Sequence, residues 1–474
     1  MLYKGTKSSI YLGIESFGKD SIPFFSRRRA DMSKISKLLI ITLLLILAAC
    51  NKPQTQPKTV PPDTEIIEPA TDTPQDLTLA SKTVTYTPDA QTSDPSETPP
   101  PDGPPAEPTA DLDQVITGAR IPLYPAGTEI TILELTMVDN LTGWGIGVAN
   151  PDTPHIFRTV DGGLTWQDVT PPQPIVVNNG GLSMAEYGAW DAENAWVAYG
   201  GAEYIWATSD GGLTWKPAPV AFMTTYDGMF SVLDENHVWF YQFLEGGMQK
   251  VYTAVNRSSD GGDTWDLLLD PYNDVSIQAF DKTGSAFISP EYGWLTRDFR
   301  GVDPHVRLNL TSDSGITWDS VEIPPPPPLP DQFQHDLAGL YDPYLITSGH
   351  GYFRLFCRYF ENDLMIDRDF LYKTSNNGAD WEILEAPRGD FYYINDLVIF
   401  SIGRDIYKSS DGGVSWQFVK SVNWDAKFSF TDQNNALAVA YDPDDDEYAL
   451  VKTTDGCKSF TIIKPQLLDP GTTR

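Results

Sequence analysis

The chain contains 474 residues, of which 41% are hydrophobic and 12% aromatic, and its formal net charge is -32 at pH 7. This apolar content supports a sizeable core, so the chain as a whole is not intrinsically disordered. Residues 111–474 carry 22 basic and 52 acidic side chains, and so acidic a region repels phosphate backbones, which disfavours nucleic-acid binding. Only Cys357 and Cys457 fall in that region, too few for a disulfide scaffold.

Residues 1–49 have the composition of an export signal. Lys34 and Lys37 precede an apolar run over residues 38–47, which is too short to span a bilayer. The run ends in Leu-Ala-Ala followed by Cys50, which resembles the lipobox of bacterial lipoproteins. The resemblance implies cleavage before Cys50 and lipid attachment to it, and therefore a membrane-anchored protein of the bacterial envelope facing the extracytoplasmic side. An ordinary secretory signal or a short membrane anchor is the alternative, and Met32 is the expected true start.

Residues 50–110 combine the candidate lipidated cysteine with a linker. Residues 51–110 contain 14 prolines and 12 threonines, with Tyr86 as the only aromatic residue. Such a segment cannot bury enough apolar surface to offset its ordering entropy, which predicts a disordered, acidic tether. Its expected role is to hold the following domain away from a membrane.

One sequence pattern recurs seven times between residues 159 and 460. Each copy has Ser or Thr, then Asp or Asn two residues later, and an aromatic residue five residues after that. The pairs are Asp161 and Trp166, Asp210 and Trp215, Asp260 and Trp265, Asp313 and Trp318, Asn376 and Trp381, Asp411 and Trp416, and Asp455 and Phe460. Successive copies are 35 to 63 residues apart, which is the size of a propeller blade.

Each copy predicts a hairpin turn between two short strands. The carboxylate is expected to accept backbone N–H bonds, and the glycines supply positive φ. The aromatic residue is expected to fill the gap between neighbouring twisted sheets. The predicted strands cover residues 130–138, 143–149, 155–160 and 165–169 in the first unit, 195–199 and 204–207 in the second, and 396–402 and 405–408 in the sixth.

The pattern resembles the Asp-box, or BNR, repeat of sialidase-type proteins, S/T-x-D-x-G-x-x-W, which lies between the third and fourth strands of a blade. The resemblance covers residues 111–474 and implies an all-β fold, a seven-bladed β-propeller of four-stranded antiparallel blades, most similar to the photosystem II assembly-factor type. Asn376, Cys457 and Phe460 depart from the pattern. The box carboxylates are interpreted as structural, and one carboxylate per blade is a poor calcium site. No metal and no cofactor are expected.

The sequence favours a non-catalytic binding or assembly scaffold and identifies no catalytic residue. The alternative is a glycan-acting hydrolase of sialidase-like or other glycosidase type. Sialidases bind a substrate carboxylate with three arginines, the first of them in an R-I-P motif, which Arg120 begins here. Arg297, Arg354 and Arg358 are the candidate partners.

The expected binding surface is the edge opposite the box turns. Successive turns of a meander alternate between two edges, so the loops between strands two and three share an edge with the connections between blades. Loops at residues 243–249 and 358–369, and an insertion at 324–335, differ most in length. Aromatic and Arg side chains anchor interfaces, and acidic groups steer basic partners. The candidates for a protein or glycan partner are Tyr272, Phe360, Arg388 and Trp424, each with a packed loop residue as the alternative.

Overall fold

The computed structural model describes residues 121–468, except 150–152, 173–184, 201–202, 223–227, 248–249, 275, 279–280, 301–305, 327–334, 362–363 and 444–446. Every regular element in this part of the chain is a β-strand, which confirms the predicted all-β class. No helix among these residues is long and apolar enough to cross a membrane. The predicted signal, Cys50, the linker and Arg120 lie outside the described residues.

The strands pair in chain order into four-stranded antiparallel meanders. The first three consist of β1 (Thr131–Met137), β2 (Gly143–Val148), β3 (His155–Thr159) and β4 (Thr165–Asp168); β5 (Ala185–Ala189), β6 (Ala195–Tyr199), β7 (Tyr204–Thr208) and β8 (Lys216–Pro219); and β9 (Gly228–Val232), β10 (Val238–Gly247), β11 (Lys250–Ser258) and β12 (Asp266–Leu269). The next two consist of β13 (Lys282–Phe287), β14 (Gly293–Arg300), β15 (Arg307–Thr311) and β16 (Asp319–Glu322); and β17 (His335–Thr347), β18 (His350–Glu361), β19 (Leu364–Thr374) and β20 (Glu382–Ala386).

The remaining strands follow the same order. They are β21 (Asp390–Tyr393), β22 (Ile399–Ile402), β23 (Asp405–Ser409) and β24 (Gln417–Ser421); β25 (Asp425–Phe430), β26 (Ala436–Asp442), β27 (Glu447–Thr453) and β28 (Thr461–Ile463); and the two-residue β29 (Gln466–Leu467). Consecutive antiparallel strands joined by short turns are the topology of propeller blades.

Predicted and observed strands agree closely in the regular sheets. The four strands predicted in the first unit match β1 to β4 within one residue at each end, and β6 matches its prediction at both ends. The strand predicted over 396–402 begins three residues too early. The Asn395 side chain accepts the backbone N–H groups of Leu397 and Val398, both at 2.9 Å, and holds that stretch in a turn.

Hydrophobic clusters lie between consecutive sheets, and every box aromatic residue packs in one of them. Trp215, for example, packs in the cluster shared by the β1–β4 and β5–β8 sheets. Trp265, Trp318, Trp381, Trp416 and Phe460 occupy the same place between later pairs of sheets. A large ring therefore fills each gap, because twisted sheets splay apart towards their outer strands.

The first and last meanders also pack together. Trp166 shares a cluster with Leu437 and Val439 of β26, and the Met137 backbone N–H donates to the Ser429 hydroxyl at 2.7 Å. Beyond β28, β29 pairs in parallel with β4, the outer strand of the first sheet. Every meander is thus built from strands contiguous in sequence, and the contacts between first and last come from side chains and this short added strand.

Two hairpins depart from the regular strand length. The β10–β11 hairpin has strands of 10 and 9 residues, and β17, β18 and β19 have 13, 12 and 11 residues. The prediction of loops at 243–249 and 358–369 is therefore wrong for the described parts of those segments, which are strand. In the β18–β19 hairpin a cross-strand pair stabilises the extension, since the Arg358 guanidinium binds both oxygens of Asp367 at 2.7 and 3.1 Å.

The long β17 also joins two sheets. Its first half pairs with the end of β14, so that the β13–β16 and β17–β20 meanders form one continuous eight-stranded sheet. Asp342 interrupts the pairing of β17 with β18 and has a φ of 53°. The irregularity turns its carboxylate towards the charged cluster described below, because a bulge re-aims the side chain that it carries.

Candidate functional site

Each box carboxylate is fully engaged within its own turn. Asp210 accepts the Thr214 backbone N–H at 2.9 Å and the Thr214 hydroxyl at 2.6 Å, and the Thr208 hydroxyl donates to it at 2.9 Å. The same pattern recurs at Asp161, Asp260, Asp313, Asp411 and Asp455. Hydrogen bonds from Ser415 and Ser459 lower the pKa of Asp411 and of Asp455 to about 2. These carboxylates hold hairpins closed and offer little to a ligand.

The fifth box forms the same turn with the amide and the carboxylate at exchanged positions. Asn376 stands where the other boxes have Asp, and Asp380 stands where most have Thr or Ser. The Asn376 amide donates to the Asp380 carboxylate at 2.9 Å, while its carbonyl oxygen accepts the Asp380 backbone N–H at 2.9 Å. Donor and acceptor have changed places, and the turn is retained.

Tyr272 lies in an aromatic cluster at the edge opposite the boxes. It follows β12, is 57% exposed, and has its ring 5.4 Å from that of Tyr252 and 6.0 Å from that of Phe222. The Lys250 ammonium lies 4.0 Å from the centre of the Tyr252 ring. Three separate segments therefore build one partly exposed apolar patch beside a cation, a combination common in interfaces.

The other candidate binding residues are placed differently. Arg388 is exposed, donates to Asp367 at 2.9 Å and lies 5.8 Å from the Phe356 ring. Phe360 lies in β18, but its side chain is outside the description. Trp424 is half-buried and packs against Phe460 with ring centres 5.1 Å apart, which matches the alternative of a packed residue. In the described part of the chain these candidates do not converge on one cluster.

A buried charged cluster surrounds Arg354, which reaches three carboxylates. Its guanidinium donates to Asp342 at 2.9 Å, to Asp369 at 3.1 Å and to Asp390 at 3.1 Å. Lys427 completes the cluster at 2.5 Å from Asp390. The members belong to β18, β19, β21 and β25 and to the irregularity of β17, so the cluster links three meanders.

The surroundings of Asp369 and Asp390 shift the pKa values of these two carboxyls in opposite directions. Burial raises the pKa of Asp369, although Arg354 opposes the shift. Burial acts in the same sense on Asp390, but the charges of Lys427 and Arg354 outweigh it and lower the pKa of that carboxyl. Arg354 itself stays charged, since the three carboxylates overcome the cost of burial and raise its pKa.

Sequence reasoning missed the cluster because its members share no motif. Asp342, Asp390 and Lys427 come from three stretches of chain, and no spacing rule connects them. One compositional signal was available: seven of the twelve arginines after residue 110 lie between Arg297 and Arg388. In so acidic a chain, a local concentration of arginines indicates internal ion pairs.

The arginines considered for a sialidase site are already engaged. Arg354 is surrounded by carboxylates of this chain, and Arg358 is paired with Asp367. Arg297 is buried and lies 5.0 Å from the centre of the Phe299 ring. A substrate carboxylate would have to displace these internal partners of Arg354 and Arg358.

Both cysteines of the described region are buried and free. Cys357 lies in β18, between the β17–β20 sheet and its predecessor, and Cys457 lies in the last box turn with a φ of 68°. Burial raises the pKa of each thiol to about 12. Neither therefore has the character of a reactive thiolate.

No family model and no curated protein matches this chain. Among solved structures, YCF48 from Cyanidioschyzon merolae is similar with a TM-score of 0.42 and 15% identity, covering 70% of this chain and 97% of that one. A prolyl endopeptidase gives a TM-score of 0.46 and 8% identity over 71% of this chain and 50% of that one. A Hadza microbial sialidase is similar with a TM-score of 0.35 and 13% identity, covering 72% of this chain and 86% of that one. Similarity at this level leaves the fold to be argued from the strand pairing and packing of the chain itself.

Proposed function

We propose that residues 111–474 form a seven-bladed β-propeller that acts as a non-catalytic binding or assembly scaffold. Lipid on Cys50 anchors it to a bacterial membrane, and it faces the extracytoplasmic side. Its partner binds the edge opposite the box turns. The ring and the scaffold role are supported by different observations, and the lipid anchor rests on the sequence around Cys50.

The ring is supported by contacts between successive meanders. The first strand of one meander contacts the first strand of the next in four successive pairs, β5 with β9, β9 with β13, β13 with β17, and β17 with β21. The first strands of the first and last meanders, β1 and β25, are also in contact. The Phe428 backbone N–H of β25 donates to the Tyr392 hydroxyl of β21 at 3.2 Å. Since the first and last meanders also pack together around Trp166, a closed ring with one blade per box is the simplest arrangement.

The scaffold role rests on one observation: the departures from the repeat are strand extensions on a single edge. The β10–β11 and β18–β19 hairpins lengthen away from their box turns. On that edge the first hairpin places Tyr252 beside Tyr272. The second hairpin places the exposed Leu364 and Met365 there. Irregular segments on a rigid frame are where proteins concentrate binding residues.

A photocrosslinking experiment tests the location of the partner. A photoreactive amino acid replaces Met365 in the full chain, and the control places it at Leu213, a residue of a box turn that is somewhat more exposed. Crosslinked partner is expected with the first variant and not with the second. Crosslinks confined to the Leu213 variant would overturn the assignment of the binding edge.

Metabolic labelling tests the lipid anchor. Labelled fatty acid should be incorporated into the protein, and the Cys50→Ser variant should show no incorporation.

The glycan hydrolase remains the second candidate because of one feature. Asp369 and Asp390 both bind Arg354 yet have pKa values moved apart, as general acid and base pairs require. Against it, Asp369 is only 2% exposed. The scaffold proposal expects no turnover of fluorogenic sialosides or β-glucan oligosaccharides by the full chain. Turnover abolished by Asp369→Asn or by Arg120→Ala would favour the hydrolase.

A further inference from the structure

The edge of β19 that faces away from β18 is paired with a neighbouring strand over only part of its length. β19 pairs with β18 along its whole length, from Leu364 to Thr374, but it pairs with β20 only from Asp369 to Lys373. Within the described part of the chain, no second strand pairs with residues 364–368. In an antiparallel sheet every second residue of such a stretch directs its N–H and C=O outward, so this edge can accept another strand.

β20 has the ordinary length of a fourth strand, five residues, so the unpaired stretch results from the extension of β19 to eleven residues. Ala386 is the last residue of β20 and lies opposite Asp369, and Pro387 follows it. Proline has no N–H to donate to the next rung of the ladder. The chain then turns into β21, with the Gly389 N–H directed at the Asp369 carboxylate at 3.4 Å. The rest of β19 is therefore left without its neighbour.

The other long hairpin closes the corresponding edge. β11 extends beyond β12 in the same way, but Gln278 covers it. The backbone carbonyl of Gln278 accepts the Val251 N–H at 3.0 Å, and its side-chain amide binds both the N–H and the carbonyl of Thr253, at 2.6 and 3.0 Å. One loop residue thus takes the place of a strand. No equivalent residue covers β19 in the described chain.

Apolar side chains flank the open edge of β19. Leu364 is 65% exposed and Met365 is 56% exposed, and the half-buried Ile366 follows. Beyond them, Asp367 is bound by Arg358 and Arg388. Proteins often protect an exposed edge with charged side chains, whereas the charges nearest to this edge are engaged with one another. The surface that remains combines free backbone groups with exposed aliphatic side chains.

We infer that the open edge of β19 binds an extended peptide segment of a partner protein, which joins the sheet as an additional strand. The inference rests on the proposed scaffold function and names its partner class. Backbone hydrogen bonds along residues 364–368 provide affinity. Leu364 and Met365 are consecutive and lie on opposite faces of the sheet, so side chains on the two faces of the peptide contact one of them each. The strongly acidic domain selects peptides without acidic residues.

Selection from a displayed library of random ten-residue peptides against the full chain tests this inference. We expect neutral or basic peptides rich in β-branched residues. Their binding should fall at least tenfold on one of the variants Met365→Pro and Ile366→Pro, because one of these two removes an outward N–H while keeping the β18 ladder. Circular dichroism confirms that the variant used is folded.

Backbone methylation of the selected peptides provides a test on the unaltered protein. N-methyl groups on alternate residues along one peptide edge should abolish binding, while those along the other edge should leave it unchanged. Equal tolerance of both methylation patterns, or undiminished binding to both proline variants, would overturn the edge as a binding site. A library that yields no peptide would do the same. The scaffold proposal is tested separately, by the crosslinks at Met365 and by glycan turnover.

Discussion

The two edges of the sheets follow different rules. At the box-turn edge the same few hydrogen bonds recur, and even the exchanged Asn376 and Asp380 rebuild them. At the opposite edge the long strands differ within the described chain: Gln278 covers β11, β19 extends uncovered beyond β20, and β14 continues into pairing with β17. Repetition at one edge fixes the frame, so that the other edge is free to vary.

Arg354 connects the irregular hairpin to the frame, and its removal should have the largest effect on stability. Arg354→Ala leaves Asp342, Asp369 and Asp390 without their shared cation. We expect a loss of about 3–5 kcal/mol in the free energy of unfolding, the usual cost of breaking a buried ion pair from one side. Urea unfolding measures it. Arg404→Ala, which breaks an exposed pair with Asp425, should cost under about 1 kcal/mol, and equal losses would show that the cluster is not structural.

Gln278→Ala should open the edge of β11 at Thr253 and so make it more like the edge of β19, while the backbone carbonyl of residue 278 still accepts the Val251 N–H. The N–H and carbonyl of the fully buried Thr253 then lose the side-chain amide that binds them. The expected cost is about 1–3 kcal/mol for buried groups left unsatisfied, with faster hydrogen exchange at Thr253. Gln417→Ala, at an exposed position of β24, is the matched control and should change neither quantity.

Asn376→Asp tests whether the fifth box depends on its exchange of donor and acceptor. The substitution brings a second carboxylate against Asp380 in place of an amide donor. We expect a loss of about 1 kcal/mol in the free energy of unfolding at pH 7, measured by urea unfolding. The double variant with Asp380→Thr restores the usual box and should recover the loss. Additive losses in this cycle would contradict the exchange.

Ser314→Gly should give the smallest effect, and it should stabilise the protein. Ser314 has a φ of 73° where most boxes have glycine, and this left-handed conformation costs an L-residue about 1–2 kcal/mol. Glycine loses more backbone entropy on folding than serine does, which costs about 0.4–1 kcal/mol. We therefore expect the free energy of unfolding, measured in urea, to increase by about 0.5 kcal/mol. The reverse change at the equivalent turn, Gly261→Ser, should destabilise by a similar amount. Two changes of the same sign would contradict this account.

The sequence was sufficient for the regular strands because their information is local. Turn residues and alternating apolar residues bracket β1 to β4 and β6, and the boxes mark where each meander turns. The β18–β19 hairpin was predicted as a loop at 358–369 because the spacing between the fourth and fifth boxes, 63 residues, is the longest in the chain. Its signal was present: Asn362 and Asp363, favoured turn residues, separate two runs that contain several aromatic and aliphatic residues. The cluster around Arg354 had no local signal, since three meanders supply its members.

The pairing of β29 with β4 also determines when the molecule can be completed. Gln466 lies beside Thr165, so about three hundred residues must be synthesised after the first meander before this contact can form. Each meander contains only neighbouring strands and can fold soon after it is made. Until the last one arrives, the face of the first sheet that packs on Leu437 stays exposed to solvent. Folding is therefore quick within each meander and late across the seam, and an interrupted or truncated chain would present that apolar face to other molecules.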